Sequence, residues 1–341
     1  MGTDFYAPAD GSTPQKGADL TDANFYTTLV RITDQMDGYS GAGIENDYAR
    51  VDPENSEGTQ IILRGNDGEW YLYDTATFQM KKHFTSLVDG VEPEPRWDAV
   101  NPNVLFYLYE TELRTYNIDS DVTTVVHDFK AEFPSAEYIT TGSEGDASLD
   151  RRFWSIIIED SGYNLISAAV FDKESNSVVG QKAVFPDELD WISMDMSGDH
   201  CIVGYDTHSA QVFSRDFSSP IDLPLGANGH MDLALTSDGR AVVVYQNTYT
   251  DWIAMADLGT ETETSLLEIP FGVNSDIGLH FSGNCAETPG WVLVSTYGAE
   301  NPPPGESHSW MDTQLFMLEL EQDPIVWRIA HTHAYTSEDY I

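Results

Sequence analysis

The hydrophobic pattern along this chain consists of short β-branched and aromatic runs, separated by clusters of Gly, Asp, Asn and Ser. Apolar residues spaced at the 3.6-residue period of an amphipathic helix are almost absent. Short apolar runs bounded by turn residues are typical of β-strands. The chain is therefore predicted to be all-β.

A unit of three parts recurs about every 35 to 55 residues, which is the spacing of propeller blades. Each unit begins with a polar turn that leads into an apolar strand. A second strand carries an aromatic residue and usually ends in Asp, and a third strand has an edge-like pattern. The six strands that follow the polar turns are Gln60–Leu63, Val104–Tyr107, Phe153–Ile156, Cys201–Val203, Ala241–Val244 and Trp291–Val294.

Sheets of this size cannot bury both faces alone, so neighbouring sheets are expected to stack around an axis, as in a β-propeller. A β-sandwich with irregular hairpins is the alternative. Before the first unit, Phe25–Thr33 reads as one orphan strand that fits the outer strand of a seventh blade. We therefore expect a seven-bladed propeller whose last blade is incomplete because the chain is truncated after Ile341, with a six-bladed ring as the alternative.

Residues 1–20 are rich in Gly, Pro, Ser and Thr, which predicts a flexible N-terminal arm. Residues 21–341 then form a single propeller domain.

Cys201 and Cys285 lie in different repeats without the close spacing of a zinc knuckle. We expect two buried thiols rather than a disulfide.

The charge of the chain is extreme, with 57 Asp and Glu against 16 Lys and Arg and a formal net charge of -41. Salt screens such self-repulsion, since the Debye length is about 3 Å at 1 M ionic strength, so a halophilic source is expected. Nucleic acid is excluded as a partner because phosphate binding needs clustered Lys and Arg. A protein partner stays open.

No run of about 18 apolar residues occurs, so no membrane span is predicted. Residues Met1–Asp4 show no basic and apolar signal region. We expect that the protein lies outside the cell or at its surface and that its signal has been removed. The cytoplasm of a halophile is the alternative.

Four of the nine histidines stand out: His230, His280, His331 and His333. His230 and His280 each precede the polar turn of a repeat, which places them at the same end of the predicted channel. If residues 331–333 are extended, His331 and His333 share one face and could hold a zinc or manganese ion together with His280. Taken alone, His230 or His280 is more simply a hydrogen-bonded turn residue.

These histidine segments, Gly229–Asp232, Gly278–Ser282 and His331–Tyr335, resemble those of oligogalacturonate lyase-like seven-bladed propellers. The repeated blade pattern also resembles that family, over most of residues 25–341. In that family a His-x-His pair and a His of the preceding blade hold a divalent metal, while another His and an Arg act at the α-carbon of a uronate. The resemblance implies that His280, His331 and His333 are metal ligands and that His230 is the base. Arg328 stands where the family has a Gln ligand.

The implied reaction is β-elimination in an acidic oligosaccharide or polysaccharide. A base removes the C5 proton, and cations stabilise the enolate as charge moves onto the carboxylate. Arg64 and Arg96, near blade openings, are candidates for the arginine, and ordinary ion-pair or packing roles are their alternative. We predict a metal-dependent, carbohydrate-active propeller that resembles a uronate lyase, with a non-catalytic interaction propeller as the alternative.

Overall fold

The computed structural model describes residues 4–6, 15–34, 36–38, 41, 43–85, 87, 92–223, 230–298 and 304–332. These residues form β-strands almost throughout, with one short 3-10 helix at Phe129–Ala131. The first two strands, β1 (Asp19–Thr21) and β2 (Thr28–Val30), form an antiparallel two-stranded sheet. The prediction of an all-β chain is confirmed.

The remaining strands form six antiparallel sheets of four strands each, and within each sheet the strands follow one another in sequence order. We number these sheets I to VI along the chain. The strands of sheets I to III are β3 (Ile44–Glu45), β4 (Gln60–Gly65), β5 (Trp70–Asp74) and β6 (Met80–Phe84); β7 (Arg96–Trp97), β8 (Val104–Tyr109), β9 (Glu112–Asn117) and β10 (Val122–Asp128); and β11 (Tyr138–Thr140), β12 (Phe153–Glu159), β13 (Leu165–Asp172) and β14 (Ser177–Lys182).

Sheets IV to VI repeat the same arrangement. Each is again a meander in which consecutive strands pair. Their strands are β15 (Leu189–Met194), β16 (His200–Tyr205), β17 (Gln211–Ser214) and β18 (Pro220–Asp222); β19 (Met231–Leu235), β20 (Ala241–Asn247), β21 (Trp252–Asp257) and β22 (Glu263–Glu268); and β23 (Gly278–Ser282), β24 (Trp291–Tyr297), β25 (Gln314–Glu319) and β26 (Val326–His331).

The sheets belong to two compact units. Residues 33–222 form the first unit, which contains sheets I to IV, and we call it the I–IV unit. Residues 1–32 together with 223–341 form the second unit, which contains the β1–β2 sheet and sheets V and VI, and we call it the V–VI unit. The predicted division into an arm of residues 1–20 and one domain of residues 21–341 stays a prediction.

Within each unit the apolar core lies between the faces of successive sheets. Trp70 of sheet I and Tyr107 of sheet II are buried in one such layer, and Phe106 of sheet II packs against Trp154 of sheet III at 5.1 Å between ring centroids. In the V–VI unit, Phe281 belongs to the equivalent layer. Burial of one large apolar side chain contributes about 1.5–3 kcal/mol. Each sheet therefore gains most of its stability from its neighbours, as the repeat pattern predicts.

The first strands of sheets V and VI approach each other closely. A Cβ atom added to Gly283 would lie 1.8 Å from the carbonyl oxygen of Leu233, so only glycine permits this approach. The Gly283 N–H donates to Oδ2 of Asp232 at 2.6 Å. This contact fixes the start of β19 beside β23, and the residues at these two strands form the site described below.

The orphan strand predicted over Phe25–Thr33 is shorter than expected. Only Thr28–Val30 is a strand, because a tight turn precedes it: Asp22 Oδ1 accepts the N–H groups of Asn24 and Phe25, and Tyr26 adopts a φ of 60°. The strand pairs with β1 in the two-stranded sheet. Among the described residues, no helix is long and apolar enough to cross a membrane.

Candidate functional site

His230 and His280 lie on neighbouring sheets of the V–VI unit. His230 directly precedes β19, where its carbonyl accepts the N–H of Gln246 at 3.0 Å, and His280 is the third residue of β23. The two imidazole rings contact each other, with centroids 4.2 Å apart and planes inclined at 56°. Both side chains are half-buried. The structure therefore brings the predicted base and one predicted metal ligand together.

Tyr297 extends this pair into a row of three rings. It lies at the end of β24, and its ring centroid is 6.1 Å from that of His280. Gly278 pairs with Tyr297 across β23 and β24, and a Cβ at Gly278 would lie 1.9 Å from Cζ of Tyr297. Glycine at position 278 therefore makes room for the tyrosine ring beside His280. Tyr297 was not among the predicted site residues. The feature that marks it is its position opposite Gly278 in the sheet.

His331 ends β26 and is 3% exposed. Its Nδ1 lies 2.7 Å from Oδ2 of Asp22, and its Nε2 lies 2.8 Å from the carbonyl oxygen of Tyr6. The Phe25 ring lies 5.1 Å from the imidazole. Each ring nitrogen therefore faces an oxygen acceptor within the V–VI unit.

Asp22 is the buried partner of His331. Burial alone would raise the pKa of Asp22, but hydrogen bonds from the backbone N–H groups of Asn24, His331 and Phe25 and from the His331 ring outweigh it, so this pKa lies below its ordinary value. The carboxylate is held in its charged form by these donors. Asp22 and His331 are 309 positions apart, which is why no local pattern shows the pair.

Ligation of a metal needs an imidazole nitrogen whose lone pair is directed at the ion. Both nitrogens of His331 are engaged by oxygen acceptors, and across the described ranges no group of three or more His, Cys, Asp or Glu side chains is arranged to hold a metal ion. His333 lies outside the described residues. The described residues alone thus do not form a metal site, and ligand roles for His280, His331 and His333 stay predictions.

Arg64 and Arg96 both lie in the I–IV unit. Arg64 of β4 forms ion pairs with Asp47 at 3.2 Å and with Glu92. Arg96 of β7 is 2% exposed, and its Nε and Nη2 donate to the Gly145 carbonyl at 3.0 and 2.8 Å. Further bonds join Arg96 to the carbonyls of Pro95 and Ser143. Within this unit both arginines have internal partners, and their catalytic role stays a prediction.

Comparison with known proteins places this geometry in a familiar fold. No family model matches the chain, and no curated protein matches it. An oligogalacturonate lyase from Vibrio parahaemolyticus aligns with a TM-score of 0.62 at 14% identity, covering 95% of this chain and 86% of that one. An oligogalacturonate lyase solved in complex with manganese aligns with a TM-score of 0.55 at 14% identity, covering 93% of this chain and 96% of that one. The chain has the fold of these lyases.

This similarity confirms the predicted all-β propeller and the resemblance in fold to oligogalacturonate lyases. The described residues contain six four-stranded blades, the number expected for the alternative six-bladed form, and the β1–β2 sheet adds two further strands. Manganese belongs to the structure of the similar lyase.

Proposed function

We propose that this protein is a carbohydrate-active lyase that cleaves acidic oligosaccharides by β-elimination beside a uronate. The observation that supports this proposal most strongly is the contact of His230 with His280, 4.2 Å between ring centroids, within a fold shared with two oligogalacturonate lyases. A neutral imidazole has one ring nitrogen that can accept a proton, so an imidazole is a suitable base for this reaction.

His230 acts as the base in the proposed reaction. It takes the C5 proton of the uronate, and the electrons of the broken C5–H bond move onto the carboxylate as an enolate. The C4–C5 double bond forms as the C4–O bond breaks, and the departing oxygen takes a proton from water. A positioned base contributes about 10²–10⁴-fold to such a proton transfer. The uronate carboxylate acidifies the C5 proton, and nearby cationic groups stabilise the charge that develops on it.

The metal requirement is a separate part of the proposal. A divalent cation bound by His280, His331 and His333 would stabilise the carboxylate charge. Titration with manganese or zinc of the full chain and of the His331→Ala and His333→Ala variants tests this part. Weaker binding in both variants is expected, and unchanged affinity would exclude these ligands.

The substrate and location of the protein complete the proposal. An acidic oligosaccharide derived from a polymer is most simply met outside the cell or at its surface. The strongly negative chain repels a polyanion at low salt, so activity should rise with added salt before binding weakens. A non-catalytic interaction propeller is the competing interpretation, since both nitrogens of His331 are already engaged.

Product analysis separates these functions. The full chain is incubated with oligomers of galacturonate and other uronates and with their neutral methyl esters, and the products are followed by the absorbance of the unsaturated uronate and by mass spectrometry. Elimination gives fragments whose masses sum to that of the substrate, whereas hydrolysis adds one water. The proposal expects unsaturated products from an acidic oligomer. Substrate recovered intact across the panel would favour the interaction propeller.

A further inference from the structure

Arg328 lies on β26, the same strand as His331, and it is anchored from within sheet VI. Its Nε donates to Oε1 of Gln314 at 3.0 Å. Gln314 is fully buried, and its own Nε2 donates to the Asp312 carbonyl at 3.1 Å. The guanidinium is therefore held in place through Nε, which leaves Nη1 and Nη2 to contact other groups.

The charge of Arg328 has no carboxylate at ion-pair distance among the described residues. Arg152, by comparison, pairs with Asp172 at 2.9 Å and with Glu174 at 2.7 Å. Burial lowers the pKa of Arg328, and this effect outweighs the attraction of Tyr6, Asp22 and Asp4. The oxygens of Asp22 already accept four hydrogen bonds from other groups.

One nitrogen of this guanidinium lacks a hydrogen bond. Nη2 of Arg328 is buried, and no acceptor for it lies in the part of the chain that the structure describes. A buried donor left without a partner costs about 1–3 kcal/mol. An anion that reached Nη2 would remove this cost, and a carboxylate matches the forked Nη1 and Nη2 pair in shape and charge.

Three aromatic rings surround the guanidinium. The ring centroids of Tyr6 and Phe25 lie 4.9 Å from its central carbon, and that of Trp310 lies 5.6 Å away. Aromatic walls hold the cation and keep water away from it. The rings of Phe25 and Trp310 also suit the apolar face of a sugar ring that carries a carboxylate.

The N-terminal segment Asp4–Tyr6 covers these groups. The Asp4 carbonyl accepts from Nη1 of Arg328 at 3.0 Å, and the Tyr6 carbonyl lies 2.8 Å from Nε2 of His331. Phe5 stacks on His308, with centroids 4.7 Å apart and planes inclined at 7°. Two oxygen atoms of a single peptide segment thus contact the nitrogens of Arg328 and His331.

We propose that the guanidinium of Arg328 on sheet VI is a carboxylate-binding site, which Asp4–Tyr6 covers and which a uronate carboxylate occupies when that segment is displaced. The carboxylate accepts a hydrogen bond from Nη2 of Arg328 and replaces the Asp4 carbonyl as the acceptor of Nη1. This inference rests on the proposed function, because it names the group that binds the carboxylate of the same substrate class.

Binding of galacturonate oligomers and of their neutral methyl esters, measured by calorimetry on the full chain, tests the site. Arg328→Met keeps the length of the side chain and removes its charge, and Arg328→Lys keeps the charge and removes the fork. Loss of a hydrogen-bonded charge partner costs about 1.5–3 kcal/mol, so Arg328→Met should bind the acid about 10- to 100-fold more weakly. Arg328→Lys should have an affinity for the acid between those of the parent chain and Arg328→Met. Arg215→Met removes an exposed arginine of the I–IV unit and should bind the acid as the parent does.

A second variant tests the cover without altering Arg328. Replacing Phe5 and Tyr6 together by Ser removes the stacking on His308 and Arg328, so the segment competes less well for the site. The affinity for the acidic oligomer should then rise, while that for the methyl ester should not.

Separate outcomes distinguish this inference from the proposed function. Equal affinity of the parent chain for acid and ester, or unchanged acid binding in Arg328→Met, would overturn the carboxylate site, and unchanged binding in the Phe5 and Tyr6 double variant would overturn the covering role of Asp4–Tyr6. If the parent chain binds the acid through Arg328 but releases no unsaturated product, the site stands and the lyase proposal fails. If unsaturated product forms and Arg328→Met retains the parent affinity and KM, the lyase proposal stands and the site fails.

Discussion

The two units contain arginines whose hydrogen-bonding groups are satisfied to different degrees. In the I–IV unit, Arg96 donates to three backbone carbonyls, and Arg151 pairs with Asp146 at 2.7 Å. In the V–VI unit, His230 meets another imidazole, and Arg328 keeps a buried nitrogen that no described acceptor reaches. Groups that are satisfied inside the fold stabilise it. A guanidinium that is held in place but incompletely satisfied, as that of Arg328 is, is better placed to bind a ligand.

The largest effect on stability is expected from Arg96→Ala in the I–IV unit. This change removes the guanidinium that donates to the Gly145 and Ser143 carbonyls, and it removes the positive charge that opposes the burial-driven rise in the pKa of Glu94. Breaking such a buried polar arrangement costs about 3–5 kcal/mol. The free energy of unfolding, measured in urea at constant salt, should fall by that amount.

Arg64→Ala provides the matched comparison. Arg64 pairs with the buried Asp47, and its own side chain is 32% exposed, whereas Arg96 is 2% exposed. A pair that is partly open to solvent contributes less than a buried polar arrangement, so this variant should lose much less stability than Arg96→Ala. Similar losses for the two variants would contradict the distinction between a structural Arg96 and a peripheral Arg64.

The next prediction concerns the pH dependence of stability that arises from the buried Asp22–His331 pair. The pKa of Asp22 in the folded protein lies below the ordinary value of 3.8, so the unfolded chain binds more protons between these two values. The stabilisation from Asp22 is thus complete above pH 3.8 and is lost as the pH falls through the folded value.

Asp22→Asn should remove this acid-side loss and lower stability near neutral pH by about 1.5–3 kcal/mol, because a charged acceptor of His331 is gone. Thermal unfolding followed from pH 2 to 7 in high salt measures both changes. A constant difference between the two proteins across the whole range would show that the charge of Asp22 makes no contribution.

A smaller effect is expected at Gly278, where the Tyr297 ring needs space. Gly278→Ala places a Cβ 1.9 Å from the Tyr297 ring, which forces the ring away from His280 and costs about 1–3 kcal/mol. Gly272→Ala is the control, because nothing lies within 4 Å of its added Cβ. If the position of the Tyr297 ring beside His280 supports the site, Gly278→Ala should also lower kcat on the uronate oligomer. Equal stability and kcat for the two variants would remove Tyr297 from the account.

The sequence predicted the repeat well because each blade carries its own local signal. The strand beginning at Gln60 and the strand beginning at Trp291 both follow polar turns, and both are second strands of their sheets. Period and turn chemistry are local properties, so they are readable without the fold. The extent of Thr28–Val30 could not be predicted, because the Asp22 side chain shapes the preceding turn and the partner strand Asp19–Thr21 begins in the predicted arm.

The site was only partly predictable. His230 and His280 stood out because each precedes the polar turn of its repeat, and the structure does bring their rings into contact. The partners of His331 could not be predicted, since Asp22 and Tyr6 are separated from it by more than 300 residues. The buried environment of Arg96 was equally hidden, because its acceptors are backbone carbonyls that carry no residue-type signal.

The most direct test of the central claim, that the histidine pair of the V–VI unit performs chemistry, is the kcat for unsaturated product with a galacturonate oligomer. His230→Gln keeps a polar side chain but removes the base, and His208→Gln replaces an exposed histidine of the I–IV unit. We predict that His230→Gln lowers kcat by about 10²–10⁴-fold while His208→Gln leaves it unchanged. A His230→Gln variant that folds normally and turns over at the parent rate would contradict the claim.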